Sequence, residues 1–404
     1  MEKVLLSLLL IIMSYACFAQ PVPLGPITIG EKVSIYSKIL QEERAYTVKL
    51  PSSYDFHQFT SSIPAHFPVL YVLDGDEYFK IVSATADYLS NGQNGNYMMP
   101  EHIVVAISNT DRMRDLTPTS TQHAVDGTEL PAPIGGGADK FLDFIEQELI
   151  PEIEDSYRTM PYRTIAGHSI GGLLALYAPI AKPELFNAVI SIDPSLWWND
   201  QSLLNKAERY FEIDTDQVLS VFLASVNHSE NDEVPEDPSL SLASQLSQIL
   251  KTVASPGIRS RWKYYENEDH GSVPLISFYD GLQYVFAGHK EIYENVFEQQ
   301  ASMTLGYREL SMRLGETFNP PEILMVNTAQ DVIEFSEQRP LLGLTMLQEA
   351  VSLYPDSVYS HTNLGLAYMR TGNNEAARNE FETVLEIDPE NEMAKSQLQA
   401  LGEE

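Results

Sequence analysis

The chain has 404 residues, enough for one large catalytic domain of about 250 residues and a smaller appendage. Hydrophobic residues make up 44% of it, so a sizeable core can form, while 57 acidic against 25 basic residues leave a net charge of −32. So acidic a surface repels phosphate backbones and anionic lipid, which excludes nucleic acid as an expected partner.

The N-terminus reads as an export signal. Met1 to Lys3 carry one positive charge beyond a carboxylate, Val4 to Met13 is a short apolar run, and Cys17-Phe18-Ala19 offers small residues at the −3 and −1 positions. Ten apolar residues cannot span a bilayer of roughly 30 Å. Residues 1–19 are therefore expected to be removed after Ala19, placing the mature chain outside the cytoplasm, secreted or periplasmic. Cleavage there takes away Cys17, the only cysteine. The alternative is lipid anchoring at Cys17, against which stands the bulk of Tyr15 in Ser14-Tyr15-Ala16. No later segment is long and apolar enough to cross a membrane.

Val33 to Leu50 alternates and is β-rich, as one or two antiparallel edge strands would be. Val69 to Leu73 and Ile103 to Ile107 are continuous apolar runs, suited to strands buried on both faces, and a helical stretch near 77–89 separates them. Residues 108–136 form a long loop with three prolines and a run of glycines, followed by helical spacing from Phe141 to Ile150. Further strands are expected at Arg163–Ala166, Ala188–Ile192, Leu219–Ala224 and Trp262–Tyr265, with a small-residue helix at Gly172–Ile180. This alternation predicts an α/β fold, a mostly parallel sheet covered by helices, over residues 20–290. Residues 291–404 read as helices only. Within them Leu364-Gly365, Tyr368, Ala376 and Phe381 lie between Pro355 and Pro389, which stand 34 residues apart, the tetratricopeptide pattern and period. Tyr354, Leu364, Leu366, Tyr368, Phe381 and Leu385 give this unit an apolar face. One unit cannot bury its own face, so residues 291–350 are expected to supply adjoining helices.

Gly167-His168-Ser169-Ile170-Gly171 fits the G-x-S-x-G nucleophile elbow. The turn is so tight that side chains flanking the serine would clash, hence the glycines; a strand before and a helix after supply the required context. A serine needs a base. Of the histidines that follow it, His270, in Glu268-Asp269-His270-Gly271-Ser272 just past the last strand, can swing over the sheet; His289 reads as a surface residue, and His361 lies in the repeat. The acid is expected just past Leu219–Ala224, where Glu230 has the best offset and Asp232 is second, with Glu233 and Glu236 as further choices. The oxyanion donors are expected to be the Ile170 N–H and, from the Asp74-Gly75-Asp76 loop, the Asp76 N–H. Arg114 could hold an anionic group of a substrate or pair with Asp111 or Asp115; Trp197 and Trp198 could stack on a substrate ring or pack beneath a lid. No metal-ligand spacing and no phosphate loop or dinucleotide fingerprint is present, so neither a metal nor a cofactor is expected.

Leu73-Asp74-Gly75-Asp76, the stretch Asn109 to Pro118, the elbow, Asp193-Pro194-Ser195-Leu196-Trp197-Trp198 and His270-Gly271-Ser272-Val273-Pro274 together resemble the putative-esterase family of α/β hydrolases, over about residues 30–287. That family includes ferric-siderophore esterases, feruloyl esterases, S-formylglutathione hydrolases and mycolyltransferases. The tryptophan pair and the His-Gly-Ser-Val-Pro loop are most similar to the siderophore-esterase branch. The resemblance implies a serine esterase working through an acyl-enzyme on Ser169, acting on siderophore, sugar or aryl esters. The same constellation could transfer the acyl group to a hydroxyl. A different reading is a catalytically vestigial scaffold that binds a protein partner, or a second copy, through its C-terminal helices.

Overall fold

A computed structural model describes residues 25–55, 64–90, 95–124, 127–212, 218–227, 241–253, 255–298, 302–335 and 340–402. The expected signal segment, residues 1–19, lies outside them. Among the described residues no helix is long and apolar enough to cross a membrane.

The strands are β1 (Glu31–Ser37), β2 (Glu42–Lys49), β3 (Phe67–Val72), β4 (Ile103–Ile107), β5 (Ser120–His123), β6 (Glu129–Gly135), β7 (Thr159–His168), β8 (Ala188–Ile192), β9 (Leu219–Val226) and β10 (Ile258–Tyr265). Eight of them form one sheet in the order β1-β2-β4-β3-β7-β8-β9-β10. The β1/β2 and β2/β4 pairs are antiparallel; every other pair in it is parallel. This is the expected α/β-hydrolase arrangement. The alternating segment Val33–Leu50 falls at the edge, where one face meets solvent, and the largely apolar runs of β3, β4, β8 and β9 are buried throughout. The long loop after β4 is not structureless: β5 and β6 pair within it as a small hairpin.

Helices after strands include α1 (Gly75–Ser90), α2 (Arg112–Leu116), α3 (Ala138–Phe144), α4 (Ile150–Ser156), α5 (Ile170–Ala181), α6 (Leu242–Val253) and α7 (Val273–Val285), with two short helices, Trp198–Gln201 and Ala207–Phe211, between α5 and α6. Between α3 and α4 the turn widens to a π-helix at Ile145–Leu149, just before Pro151. Proline there has no N–H to give to the preceding turn and its ring crowds the carbonyl four residues back, so the ladder loosens.

The all-helical remainder comprises α8 (His289–Phe297), α9 (Met303–Leu314), α10 (Glu322–Phe335), α11 (Pro340–Leu353), α12 (Val358–Arg370), α13 (Asn374–Ile387) and α14 (Glu392–Gly402). The expected repeat is α12 and α13, with Gly365 packed so closely on Phe381 that an added Cβ would lie 2.9 Å from the ring. A further packed helix pair precedes it. Pro321 stands 34 residues before Pro355, and α10 and α11 occupy the corresponding helix pair, with Gly343 against Ile333 at the close approach. These helices are not loosely tethered. One apolar core runs from Tyr162, Phe222 and Phe286 of the sheet region through Tyr307, Leu310 and Phe318 to Met325 and Leu347. His289, expected at the surface, is buried in that junction: Nδ1 bonds the Tyr97 carbonyl at 2.7 Å and Nε2 lies 3.0 Å from the Tyr307 hydroxyl.

Contacts such as Phe318 on Tyr162 and Gly315 on Val218 place the helices beside the early residues of β7 and just before β9. The sequence stretches singled out for chemistry lie at the opposite, C-terminal ends of the strands, where ligands bind in open parallel sheets.

Candidate active site

The elbow begins where β7 ends. Ser169 sits at φ 59°, ψ −120°, a conformation costly for any side chain, and α5 starts at the next residue. The neighbouring glycines are a steric requirement. A Cβ at Gly167 would lie 2.4 Å from the Gly171 carbonyl oxygen, and one at Gly171 would lie 2.9 Å from an Asp74 carboxylate oxygen. The turn is pinned by Ser169 N–H to the Ile192 carbonyl (2.9 Å) and by Ser195 N–H to the Ser169 carbonyl (3.1 Å).

His270 reaches this serine from the loop after β10, with Nε2 3.1 Å from Ser169 Oγ. Its turn is held by Asp269, whose carboxylate accepts the Gly271 and Ser272 N–H groups at 2.8 Å each and is held below the usual aspartate range by those two bonds. On the other side, His270 Nδ1 lies 2.5 Å from Asp193 Oδ2. A carboxylate can only accept, so Nδ1 carries the hydrogen and Nε2 is left free to take the serine proton.

The acid therefore differs from the expectation. Asp193, 4% exposed, occupies the place assigned to Glu230 or Asp232, both of which lie outside the described residues, as do Glu233 and Glu236. The physical reason is adjacency. Asp193 follows β8, the strand paired to β7, and emerges beside the elbow at φ 41°. Its N–H bonds the Ala224 carbonyl (2.9 Å), and its second oxygen accepts the Val226 N–H (3.4 Å). It precedes His270 in the chain, so the order serine, acid, histidine holds; the acid is simply one strand earlier. In the sequence stretch Asp193–Trp198 only the two tryptophans invite a role, and nothing local marks Asp193 as the acid.

The Ile170 and Asp76 amides, the expected oxyanion donors, lie in the first turns of α5 and α1, where an N–H has no carbonyl four residues back to satisfy it. Asp76 turns its own carboxylate away to Lys32 at 2.6 Å. The preceding Gly75 packs directly on the β4 backbone, where a Cβ would lie 2.5 Å from Ala106 C.

Beneath this loop is a polar clamp that sequence reading missed. Arg112 grips Asp74 with two bonds, Nε to Oδ1 at 2.7 Å and NH2 to Oδ2 at 2.9 Å, and Asn109 adds a third at 2.5 Å. Arg112 NH2 also lies 3.5 Å from the His168 carbonyl. The clamp joins the loops after β3 and β4 to the elbow, and the carboxylate raises the Arg112 pKa.

Of the two roles open to Arg114, a substrate anion or an ion pair with Asp111 or Asp115, the structure shows the ion pair, and the guanidinium is engaged throughout. Nε bonds Asp115 at 2.6 Å, and NH1 and NH2 bond Glu42 at 3.1 and 2.6 Å. Two residues along a helical turn point to different sides, so Arg112 faces the site while Arg114 faces β2. The tryptophans also part. Trp198 is 3% exposed and donates its indole N–H to the Thr119 carbonyl (2.8 Å), a packing residue beneath the hairpin rather than a substrate surface. Trp197 is 38% exposed. After them the backbone takes three consecutive left-handed residues, Asn199, Asp200 and Gln201.

His168, inside the elbow, was given no role from sequence. It is buried, its Nδ1 lies 2.8 Å from the Tyr78 hydroxyl, and its ring centroid lies 4.3 Å from that of His270. Burial first, and then the neighbouring His270, push its pKa down to about 4.

The sequence profile of the family described as Putative esterase matches residues 37–266, and a tetratricopeptide repeat profile matches 358–391. The chain belongs to the putative-esterase family. It is a carboxylic ester hydrolase by its relatives as well. It is 30% identical to the ferri-bacillibactin esterase BesA of Bacillus subtilis over 224 residues, 52% of this chain and 75% of that one. It is 28% identical to the siderophore triacetylfusarinine C esterase of Aspergillus fumigatus over 266 residues, 54% of this chain and 81% of the other. Among solved structures, an IroE-like serine hydrolase from Shewanella oneidensis superposes with a TM-score of 0.67 at 30% identity, covering 80% of this chain and 99% of that one.

Proposed function

We propose that this esterase cleaves siderophore-type esters through an acyl-enzyme on Ser169. The observation that carries the reading is the continuous path from Ser169 Oγ through His270 to Asp193. In this scheme His270 Nε2 takes the serine proton as Oγ attacks the ester carbon, and Asp193 stabilises the imidazolium that forms. The tetrahedral oxyanion lies between the Ile170 and Asp76 amides. His270 then protonates the departing alkoxide, and water repeats the sequence to release the acid. The half-exposed ring of Trp197 offers a stacking surface for an aryl acyl group. Two named relatives act on siderophores, which supports the substrate class.

The residue pattern of the first nineteen positions supports action outside the cytoplasm, secreted or periplasmic, and we assign the C-terminal helices to holding a protein partner or a second copy.

The test uses wild type and Ser169→Ala with p-nitrophenyl butyrate, a feruloyl ester and a ferric catecholate trilactone, with fluorophosphonate labelling in parallel. The reading requires labelling at Ser169, loss of at least a thousandfold in the variant, and preference for the trilactone over the simple ester. Equal rates in the two proteins overturn the mechanism; an active enzyme that ignores the trilactone overturns the substrate class alone.

A further inference from the structure

One ring nitrogen at the site is unaccounted for. His168 Nδ1 is engaged with Tyr78, while Nε2 is buried with no hydrogen-bond partner. His168, Asp193 and His270 each present one ligand-competent atom, and the three atoms lie within 4.8 Å of one another. We propose that these side chains form an inhibitory site for a divalent cation of the zinc or copper(II) class, which takes the place of the hydrogen shared by His270 and Asp193.

Two imidazoles and a carboxylate suit such borderline ions. Ligands must be free of protons at the bonding atom. Nδ1 lies 2.8 Å from the Tyr78 hydroxyl, so a hydrogen on Nδ1 donated to that oxygen would leave the Nε2 lone pair for a metal; histidine ligands commonly donate the other ring N–H to an oxygen in this way. Zinc–nitrogen bonds of about 2.1 Å put donors about 3.4 Å apart in a tetrahedron, so the His270 Nδ1–Asp193 Oδ2 pair, 2.5 Å apart, must open around the ion while donors farther apart close on it. His270 is the one that can move, since nearly half its side chain is in solvent (48%) whereas that of Asp193 is 3% exposed.

The step conserves protons and changes no oxidation state. The metal bonds His270 Nδ1, Asp193 and His168 Nε2; the hydrogen leaves Nδ1 and one is taken up at Nε2 through solvent, leaving a neutral ring. With Nε2 protonated, His270 can no longer accept the Ser169 proton. Loss of activity thus rests on the mechanism proposed above; binding does not.

The full chain is titrated with zinc chloride in chelator-treated buffer while ester hydrolysis is followed, and Ser169→Ala is titrated with cobalt(II) while the visible ligand-field bands are recorded. Expected are EDTA-reversible inhibition and tetrahedral cobalt bands. His168→Phe, which keeps a ring, and His168→Gln, which serves if the first does not fold, should each weaken both by at least tenfold. Unchanged zinc inhibition and unchanged cobalt bands in a folded His168 variant overturn the proposal and place the metal elsewhere. A wild type without esterase activity sinks the mechanism instead, and the cobalt spectrum still decides the site.

Discussion

Replacing Asp193 by Asn tests the proton path at its least expected member. The side chain is buried and keeps one carbonyl oxygen that can still accept the Val226 N–H, so the turn after β8 should survive. The change falls on the oxygen 2.5 Å from His270 Nδ1. An amide NH2 there donates, which forces the hydrogen of His270 onto Nε2, the atom that must accept from Ser169. The wrong tautomer in a serine–histidine–acid site lowers kcat by about ten-thousandfold, about 5.4 kcal/mol of transition-state stabilisation. Glu230→Gln and Asp232→Asn should change kcat less than threefold. The assay is initial rates of p-nitrophenyl butyrate hydrolysis across pH 6 to 9, with fluorophosphonate labelling rates and a thermal melt on each protein. Asp193→Asn within tenfold of wild type, or a hundredfold loss in Glu230→Gln, would refute the assignment of the acid to the end of β8.

Arg114→Ala should leave kcat and KM within threefold, because its guanidinium already serves Glu42 and Asp115, whereas Arg112→Ala should lower both kcat and the melting temperature by stripping Asp74 of its bidentate partner; the reverse pattern in steady-state kinetics returns Arg114 to the substrate. Stability should fall as pH drops from about 6.5 to 4.5. His168 and His289 are pushed down to about 4 and His102 to about 3, all by burial, so the unfolded chain binds protons there that the folded one does not. His361, raised by Glu380, acts in the opposite sense and above 6.5, outside that window. Urea midpoints flat or rising from pH 7 to 4.5 contradict this. Deleting residues 356–404 should leave small-ester kcat within a few-fold. Deleting 291–404 should give a chain that melts far lower or aggregates, since Tyr162 and Phe286 lose the cover of Tyr307 and Phe318; equal melting of the two truncations would show that the shared core is not needed.

What the sequence determined by itself was local. Uniform apolar runs and alternating segments fix which strands are central and which are at the edge, because burial on one or both faces leaves its period in the chain. The elbow is legible because its five-residue pattern is local: Gly167 is demanded by the Gly171 backbone four residues on, although Gly171 itself is demanded by Asp74 on a neighbouring strand end, and His270 follows from its place after the last strand. The repeat formed by α12 and α13 is legible through its 34-residue proline spacing, whereas the pairing of α10 with α11 is not. Tertiary structure decided everything that depends on neighbours far apart in the chain. Whether an acid stands beside His270 is set by strand order, which puts β8 between β7 and β9 and brings Asp193 to the ring. Which arginine faces the site is set by rotation along one short helix, and Trp198 is buried rather than offered because the β5–β6 hairpin folds over it. The junction between the sheet and the C-terminal helices is likewise a matter of packing: His289 reads as a surface residue until Tyr97 and Tyr307 close on it.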